Sequence, residues 1–377
     1  MTIRIRGLSE ARFSTMAEEW QQCLAHSDAD PLFMSWPWLY SWWETWSQVL
    51  GLDLLLLGAF DESDTLVGLG PFFTRYLETP IGLRVKRLHM LGNAWRIEPT
   101  VRSEYISLIA RRSQASAIQA EMFAYLSAQP WDELIICDIT TTEQSHWRNM
   151  AVGTLGDIQY VARAEDEGVR IDTAGSFDEW QGLLGKNTRL KAFNRRRYLR
   201  ALGAVQFETA ETDAELYTFF TALNQFHEQR WGKPAFGTLA LNFHRRLLSR
   251  LSGSMHAKCT TLYLDGQCIS VLYDIDTGQG RYNLQSGYQE NLDAKLSMGT
   301  LHLGYAIEDS FNDSSCGYYD LLAGSGKSTF YKSRFNGRAI RFRTMQLVRK
   351  PLLQMVYRGQ ACLPQAFRQR LNQYLKL

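Results

Sequence analysis

The chain has 377 residues, enough for two domains of ordinary size, each with its own core. Apolar residues make up 45% and charged residues 21%, and 41 Lys and Arg against 39 Asp and Glu leave a net charge of +2. This balance excludes a disordered polyelectrolyte and gives no bulk attraction to nucleic acid.

In chain order, TIRIRG reads as a short strand and LSEARFSTMAEEWQQCLAHS as a helix with apolar spacing near 3.6. Ser35 and Pro37 stand where an N-cap and an early helical proline belong, opening the aromatic helix SWPWLYSWWETWSQVL. Trp38, Trp42 and Trp46 fall on one face at i, i+4 and i+8, which predicts burial against the first sheet, with stacking on a sugar acceptor as the alternative. LDLLLLGAFDESDTLVGLGPFFTRY reads as a hairpin turning at Asp61 to Asp64. Strands near 84–91 and 104–110 follow, then a helix near 114–128 and the strand DELIICDI. After a helical connector the order restarts. AVQFETA is a strand, DAELYTFFTALNQFHEQRW and LNFHRRLLSRL are helices, and residues 256–289 form three antiparallel strands with a turn at Asp265-Gly266. GTLHLGYAIEDSF is a helix, and CGYYDLLAG and GRAIRFRTMQLV are strands. Each half therefore runs strand, two helices, three strands, helix, strand, short helix, strand, with no repeat at residue level.

The six cysteines (Cys23, Cys137, Cys259, Cys268, Cys316, Cys362) form no C-x-x-C pair, which predicts reduced thiols and neither a disulfide frame nor a metal site. The first residues lack the apolar stretch of a secretory signal, and the longest apolar run, LDLLLLGAF, is far short of a membrane helix, so the expected location is the cytoplasm. DLLAGSGKSTFYK imitates a phosphate-binding loop through Gly326-Lys327-Ser328. The motif needs a glycine where Leu321 stands and a helix after the lysine. Beyond Lys327 the chain soon reaches Gly337 and alternates like a strand, so nucleotide binding is disfavoured.

FMSWPWLYSWWETW, HEQRWGK, DGQCISVLY, LSMG before a helix and above all YYDLLAG…FYK, taken in this order, resemble the BioF2-like or CelD-like group of the GNAT acyltransferases, often linked to exopolysaccharide genes. The resemblance covers most of the chain and is strongest over 180–335. Similar tandem halves occur in the Fem-type aminoacyltransferases, whose donor is charged tRNA. The implied fold is α/β, two tandem GNAT-like domains with mixed, mostly antiparallel sheets flanked by helices. The implied division is 1–175 for the acceptor side, 176–350 for catalysis, and a helical tail at 351–377. The implied activity moves an acyl group from acetyl-CoA or another acyl-CoA to an amine such as an amino sugar or polysaccharide precursor. Two alternatives stay open, an aminoacyl-tRNA-dependent transferase and a non-catalytic subunit of exopolysaccharide assembly.

In the family, the fourth strand and the helix after it hold the donor. The resemblance places the donor on Ser286 and Gly287 and on the turn Lys295, Ser297, Met298, Gly299, Thr300, which has one glycine where the usual fingerprint has two. It makes Tyr331 the acid for the departing thiolate and sets Lys332 beside the donor, although Tyr331 is equally able to pack on Phe335. For the base, His227 ranks above Asp320; Asp320 alternatively accepts backbone N–H groups in the turn after it. Glu228, Arg230 and Trp231 are candidate acceptor contacts. The run 183–203 carries Lys186, Arg189, Lys191, Arg195, Arg196, Arg197 and Arg200 without an acid. Such a cluster suits CoA phosphates, an anionic glycan or tRNA, with Arg189 and Arg196 as the named contacts, or else is a solvated helix face. The basic, amphipathic C-terminal segment permits weak peripheral membrane contact, although packing on the second domain is the simpler reading.

Overall fold

The computed structural model describes residues 2–79, 82–324 and 331–361. The P-loop-like residues Gly326, Lys327 and Ser328 and the segment after Ala361 lie outside the described residues. The chain divides into two compact units: residues 1–166, 242–247 and 341–377 form the first, and 167–241 with 248–340 the second.

The first unit contains β1 (Arg4–Leu8), α1 (Glu10–Thr15), α2 (Ala17–Ala25), α3 (Trp36–Leu50), β2 (Asp53–Phe60), β3 (Leu66–Glu78), β4 (Arg84–Met90), β5 (Ile109–Ala110), α4 (Ala115–Ala128), β6 (Glu133–Thr140), α5 (Thr141–Leu155) and the start of β7 (Gln159–Asp172). The second contains the end of β7, then α6 (Phe177–Leu183), α7 (Lys186–Arg189), α8 (Arg195–Leu202), β8 (Val205–Thr209), α9 (Asp213–Trp231), the two ends of α10 (Thr238–Leu248), β9 (His256–Leu264), β10 (Gln267–Asp276), β11 (Arg281–Tyr288), α11 (Met298–Asn312), β12 (Tyr318–Ala323) and the start of β13 (Arg338–Val348). The middle of α10, residues 242–247, groups with the first unit, as does helix α12 (Pro351–Ala361).

In the first unit the strand order is β1-β2-β3-β4-β6-β13, with β5 beside β3; in the second it is β7-β12-β11-β10-β9-β8. Both sheets are mixed: β4–β6 and β11–β12 are parallel and the other pairs within each unit antiparallel. Each unit is completed by a strand that begins in the other. Residues 168–172 of β7 pair with β12, and residues 342–348 of β13 pair with β6.

Local chemistry explains most elements. Ser35 Oγ accepts the Trp38 N–H to start α3, and Gly51 ends it at φ 59. Trp38, Trp42, Trp43 and Trp46 are all buried, and the Trp42 ring stacks on Phe73 of β3 at 5.7 Å, so the tryptophan face is core. Thr212 and Glu215 form a reciprocal capping box for α9, which closes at Gly232 in the left-handed region. Asp265 and Gly266, both at positive φ, make the β9–β10 turn.

One expected strand is almost absent. Between β4 and α4 only Ile109–Ala110 is extended, because Gly92, Arg96 and Tyr105 take positive φ. Ser103 Oγ pins this irregular segment, donating to Gly92 O and accepting the Trp38 Nε1–H, both at 2.7 Å. Among the described residues no helix is long and apolar enough to cross a membrane.

Candidate active site

Strands β11 and β12 part soon after they meet. They pair only at Arg281↔Tyr319 and Tyr282↔Asp320. Both strands carry a cause. On β11, Gln285 faces Tyr273 while Asn283 faces Asp274, so Leu284 is an extra, bulged residue that bends the strand. On β12 the register shifts between Asp320 and Ala323, and Leu322 sits at φ 56. Asp320 and Lys332 hold that kink. Asp320 Oδ1 accepts the Leu322 N–H at 2.8 Å and Oδ2 accepts Arg170 Nε at 2.7 Å, while Lys332 Nζ donates to the Leu322 and Ala323 carbonyls at 3.0 Å.

The parting leaves backbone groups without a strand neighbour. Gln289 N–H donates to Ile269 O on the β10 side. By ladder alternation Gly287 turns the same way, and Ser286 and Tyr288 turn theirs to the side that β12 has left. Ser286 is then served by side chains. His227 Nε2 donates to its carbonyl at 2.9 Å, and its N–H donates to Gln285 Oε1 at 3.0 Å.

That bond fixes the histidine. A carbonyl accepts only, so the imidazole carries its proton on Nε2 and presents Nδ1 as a lone pair. Burial, and secondarily Arg230, hold its pKa below the ordinary 6.5, which keeps it neutral. Tyr331 follows β12 in the chain. Its ring meets Phe335 edge-on at 5.8 Å, and its hydroxyl lies near those of Tyr288 on β11 and Tyr319 on β12. Burial raises its pKa, so its hydroxyl stays protonated.

At the mouth of the parting α11 begins after Ser297, whose hydroxyl caps none of the first-turn N–H groups. Gly299 lies under the Tyr288 ring, where a Cβ would stand 2.4 Å from Cε1. Arg230 donates to the Tyr288 hydroxyl, covers the Tyr288 and Trp231 rings at 4.9 and 4.7 Å, and pairs with Glu290 at 2.9 Å. Met298 and Leu301 pack with Leu199 of α8, which brings the basic run to this turn. Lys295 and Arg195 flank the Tyr198 ring at 5.0 and 5.7 Å, and the Tyr198 hydroxyl donates to Asp293 at 2.9 Å. Uncapped N–H groups beside two cations suit a phosphate.

The structure thus gathers His227, Ser286, Gly287, Gly299, Ser297, Met298, Thr300, Lys295, Arg230 and Tyr331 around one opening. Other expected residues have different work. Asp320 and Lys332 shape β12. Arg196 pairs with Glu308 and covers the Tyr305 ring at 3.7 Å, and Arg189 reaches Gly182 O at 3.2 Å. Glu228 and Trp231 are exposed at the end of α9. Tyr288 and Tyr198 enter the site unpredicted, and Arg195 enters it from the basic run. Tyr288 carried a signal, as the last residue of the fourth strand of its half.

A half-sheet whose parallel fourth and fifth strands diverge, with a helix starting at the gap, is the GNAT fold. Residues 186–333 match the family model described as an acetyltransferase (GNAT) domain, and this segment of the second unit is a GNAT-type domain. Solved structures share the fold. FemX is 11% identical, with a TM-score of 0.62 over 94% of this chain and 99% of that chain. The C-terminal domain of a putative lysylphosphatidylglycerol synthetase from Agrobacterium fabrum is 9% identical, with a TM-score of 0.53 over 92% and 94%. A conserved protein of unknown function from Bacteroides thetaiotaomicron is 11% identical, with a TM-score of 0.50 over 92% and 100%. No curated protein matches the chain. Among the described residues no cluster of His, Cys, Asp and Glu is able to hold a metal ion.

Proposed function

We propose that the second unit transfers an acyl group from acyl-CoA to an amine by direct attack. The observation that carries this reading is the parting of β11 and β12 with His227 locked on the Ser286 carbonyl inside it. The α11 turn, with Lys295 and Arg195, holds the donor's phosphates, and the thioester supplies an activated acyl carbon. His227 Nδ1 takes the proton of the attacking amine, with Nε2–H fixed by Ser286. Tyr331 offers its proton to the departing sulfur. The Ser286 N–H, released from Gln285, donates to a carbonyl of the donor. A cysteine nucleophile is disfavoured, because burial pushes the thiols of Cys23 and Cys268 up to about 12 and about 11. For the acceptor, the resemblance to exopolysaccharide-linked relatives favours an amino sugar or polysaccharide precursor.

A second donor, aminoacyl-tRNA, is favoured by one observation: Lys186, Lys191, Arg197 and Arg200 are exposed and exceed what one CoA occupies. Calorimetry with acetyl-CoA, longer acyl-CoAs and aminoacyl-tRNA separates the two. Micromolar binding of a CoA ester, weakened by salt, is expected. Silence toward every CoA ester overturns the lead reading, and binding of charged tRNA alone reassigns the donor.

A further inference from the structure

The second unit holds a further cavity toward the C-terminal half of α11. It exists because β8 stops early. Ala210 N–H closes the ladder on Cys259 O at 3.0 Å, whereas β9 reaches back to His256, so the first residues of β9 have no strand outside them. The resulting hollow is 710 Å³, in the range of small-molecule sites. Its walls are apolar, with Phe207, Leu216, Leu248, Leu251, Met255 and Tyr305. Its polar end is formed by Asp274, Thr260 and His302.

The charges at that end do not balance. Arg281 is spent on Asp276 and Asp309 at 2.6 and 2.7 Å, and Lys258 on Asp309 at 2.8 Å. These two acids and two bases neutralise one another, and His256 adds to Asp276 at 3.2 Å. His302 contributes no charge. Burial takes its pKa down to about 3, and its nitrogens are engaged by Thr260 at 3.1 Å and Ser270 at 2.9 Å. Asp274 is left over. It is 2% exposed and receives only neutral donors, Asn283 Nδ2 at 2.7 Å and the Tyr319 hydroxyl at 2.9 Å. Among the described residues it makes no ion pair; burial pushes its pKa up to about 7, and the Arg281 charge offsets only part of that. Glu211 adds a further acid to the lining, beside Asp274 and the paired Asp309.

We propose that this cavity binds a small molecule with an apolar body and an ammonium head, the head seated on Asp274 and the body against the Phe207 and Leu251 wall. Each Asp274 oxygen accepts one hydrogen bond and has a lone pair to spare, so the ammonium adds to the existing contacts. The apolar wall favours an alkyl or aryl chain over a sugar.

The test uses the full chain without any acyl donor, so that its outcome is independent of acyl transfer. Binding of hexylamine, hexanol and hexanoate is measured by calorimetry. The amine is expected to bind at least about ten-fold more tightly than the alcohol, and the carboxylate least. Asp274→Asn is expected to remove the preference for amine over alcohol, and Ala257→Phe, which fills the hollow, to remove binding of both. Equal binding of amine and alcohol to the unaltered protein, or amine binding that survives Ala257→Phe, overturns the proposal.

Discussion

At the residue scale the site turns on one tautomer. Because His227 Nε2 is committed to Ser286 O, only Nδ1 is able to accept a proton, and it does so only while the ring is neutral. A pKa held below 6.5 places the acidic limb of the kcat/KM profile below that pH, with a plateau above it. His227→Gln is expected to lower kcat/KM by about 100-fold or more and to remove that limb. A variant that loses activity but keeps the limb assigns the base elsewhere. Tyr331→Phe is expected to be milder, about 10-fold in kcat, with no change in the shape of the profile up to about pH 9, since its hydroxyl stays protonated throughout. His227 and Tyr331 were candidates because their chain neighbours resemble a family pattern, and the structure sets His227 on the Ser286 carbonyl and Tyr331 near Tyr288. The work of Asp320 was half legible: the sequence allowed it either as base or as partner of a backbone turn, and only Arg170, 150 positions away, decides for the second. Lys332 and Arg196 read as free cations because their acceptors, two carbonyls of β12 and Glu308, are distant or carry no sequence signal.

At the element scale the opening depends on α11 resting close to the turn that joins α7 and α8. Gly304 permits that approach: a Cβ there would stand 2.5 Å from Ala192 O and 3.0 Å from Ala192 Cβ. In an unobstructed helix Gly→Ala stabilises by about 1 kcal/mol. At Gly304 the clash reverses the sign, and Gly304→Ala is expected to cost about 1–3 kcal/mol. Gly153 of α5, with nothing near its would-be Cβ, is the control, and Gly153→Ala is expected to raise stability by up to about 1 kcal/mol. Thermal unfolding of the two variants checks the contrast, and shifts of the same sign refute the packing argument. Elements of this kind were readable where the signal is local. The cap of α3, the β9–β10 turn and the tryptophan face all lie within a few residues of what they control. The handing of β7 to β12 and of β13 to β6 was not readable, since pairing between residues about 150 and more than 200 positions apart leaves no trace in period or composition. The parting of β11 and β12 was expected from resemblance alone, because its causes, a bulge at Leu284 and a left-handed Leu322, fall on residues with no conformational signature.

At the scale of the whole molecule, proton linkage separates the two units. His89 and His244 are buried in the first unit and His302 in the second, each with its pKa taken down to about 3 by burial. An unfolded histidine takes a proton below about 6.5, so unfolding binds protons as the pH falls, and stability present above 6.5 is lost toward 3. At about pH 5 each such residue costs about 2 kcal/mol. Asp274 has the opposite sign. Its buried carboxyl keeps its proton up to about 7 whereas an unfolded aspartate releases it near 3.8, so its contribution is present at low pH and lost as pH rises through that window. In the second unit Asp274 and His302 nearly cancel at about pH 5. In the first, two histidines are set against the upward shifts of Asp138 and Glu143, caused mainly by burial, and acidification is expected to weaken that unit first. Nine of the eleven tryptophans, all but Trp180 and Trp231, lie in the first unit, which makes fluorescence its reporter. Between about pH 7.5 and pH 5 the fluorescence midpoint of thermal unfolding is expected to fall further than a calorimetric transition assigned to the second unit. His89→Phe tests the cause. The His89 ring stacks on Phe73 at 5.0 Å and, among the described residues, neither ring nitrogen has a hydrogen-bond partner, so phenylalanine keeps the stack and forfeits no bond. The variant is expected to be at least as stable at neutral pH and to recover about 2 kcal/mol at about pH 5. An undiminished acid sensitivity in His89→Phe would place the titrating group elsewhere in the first unit.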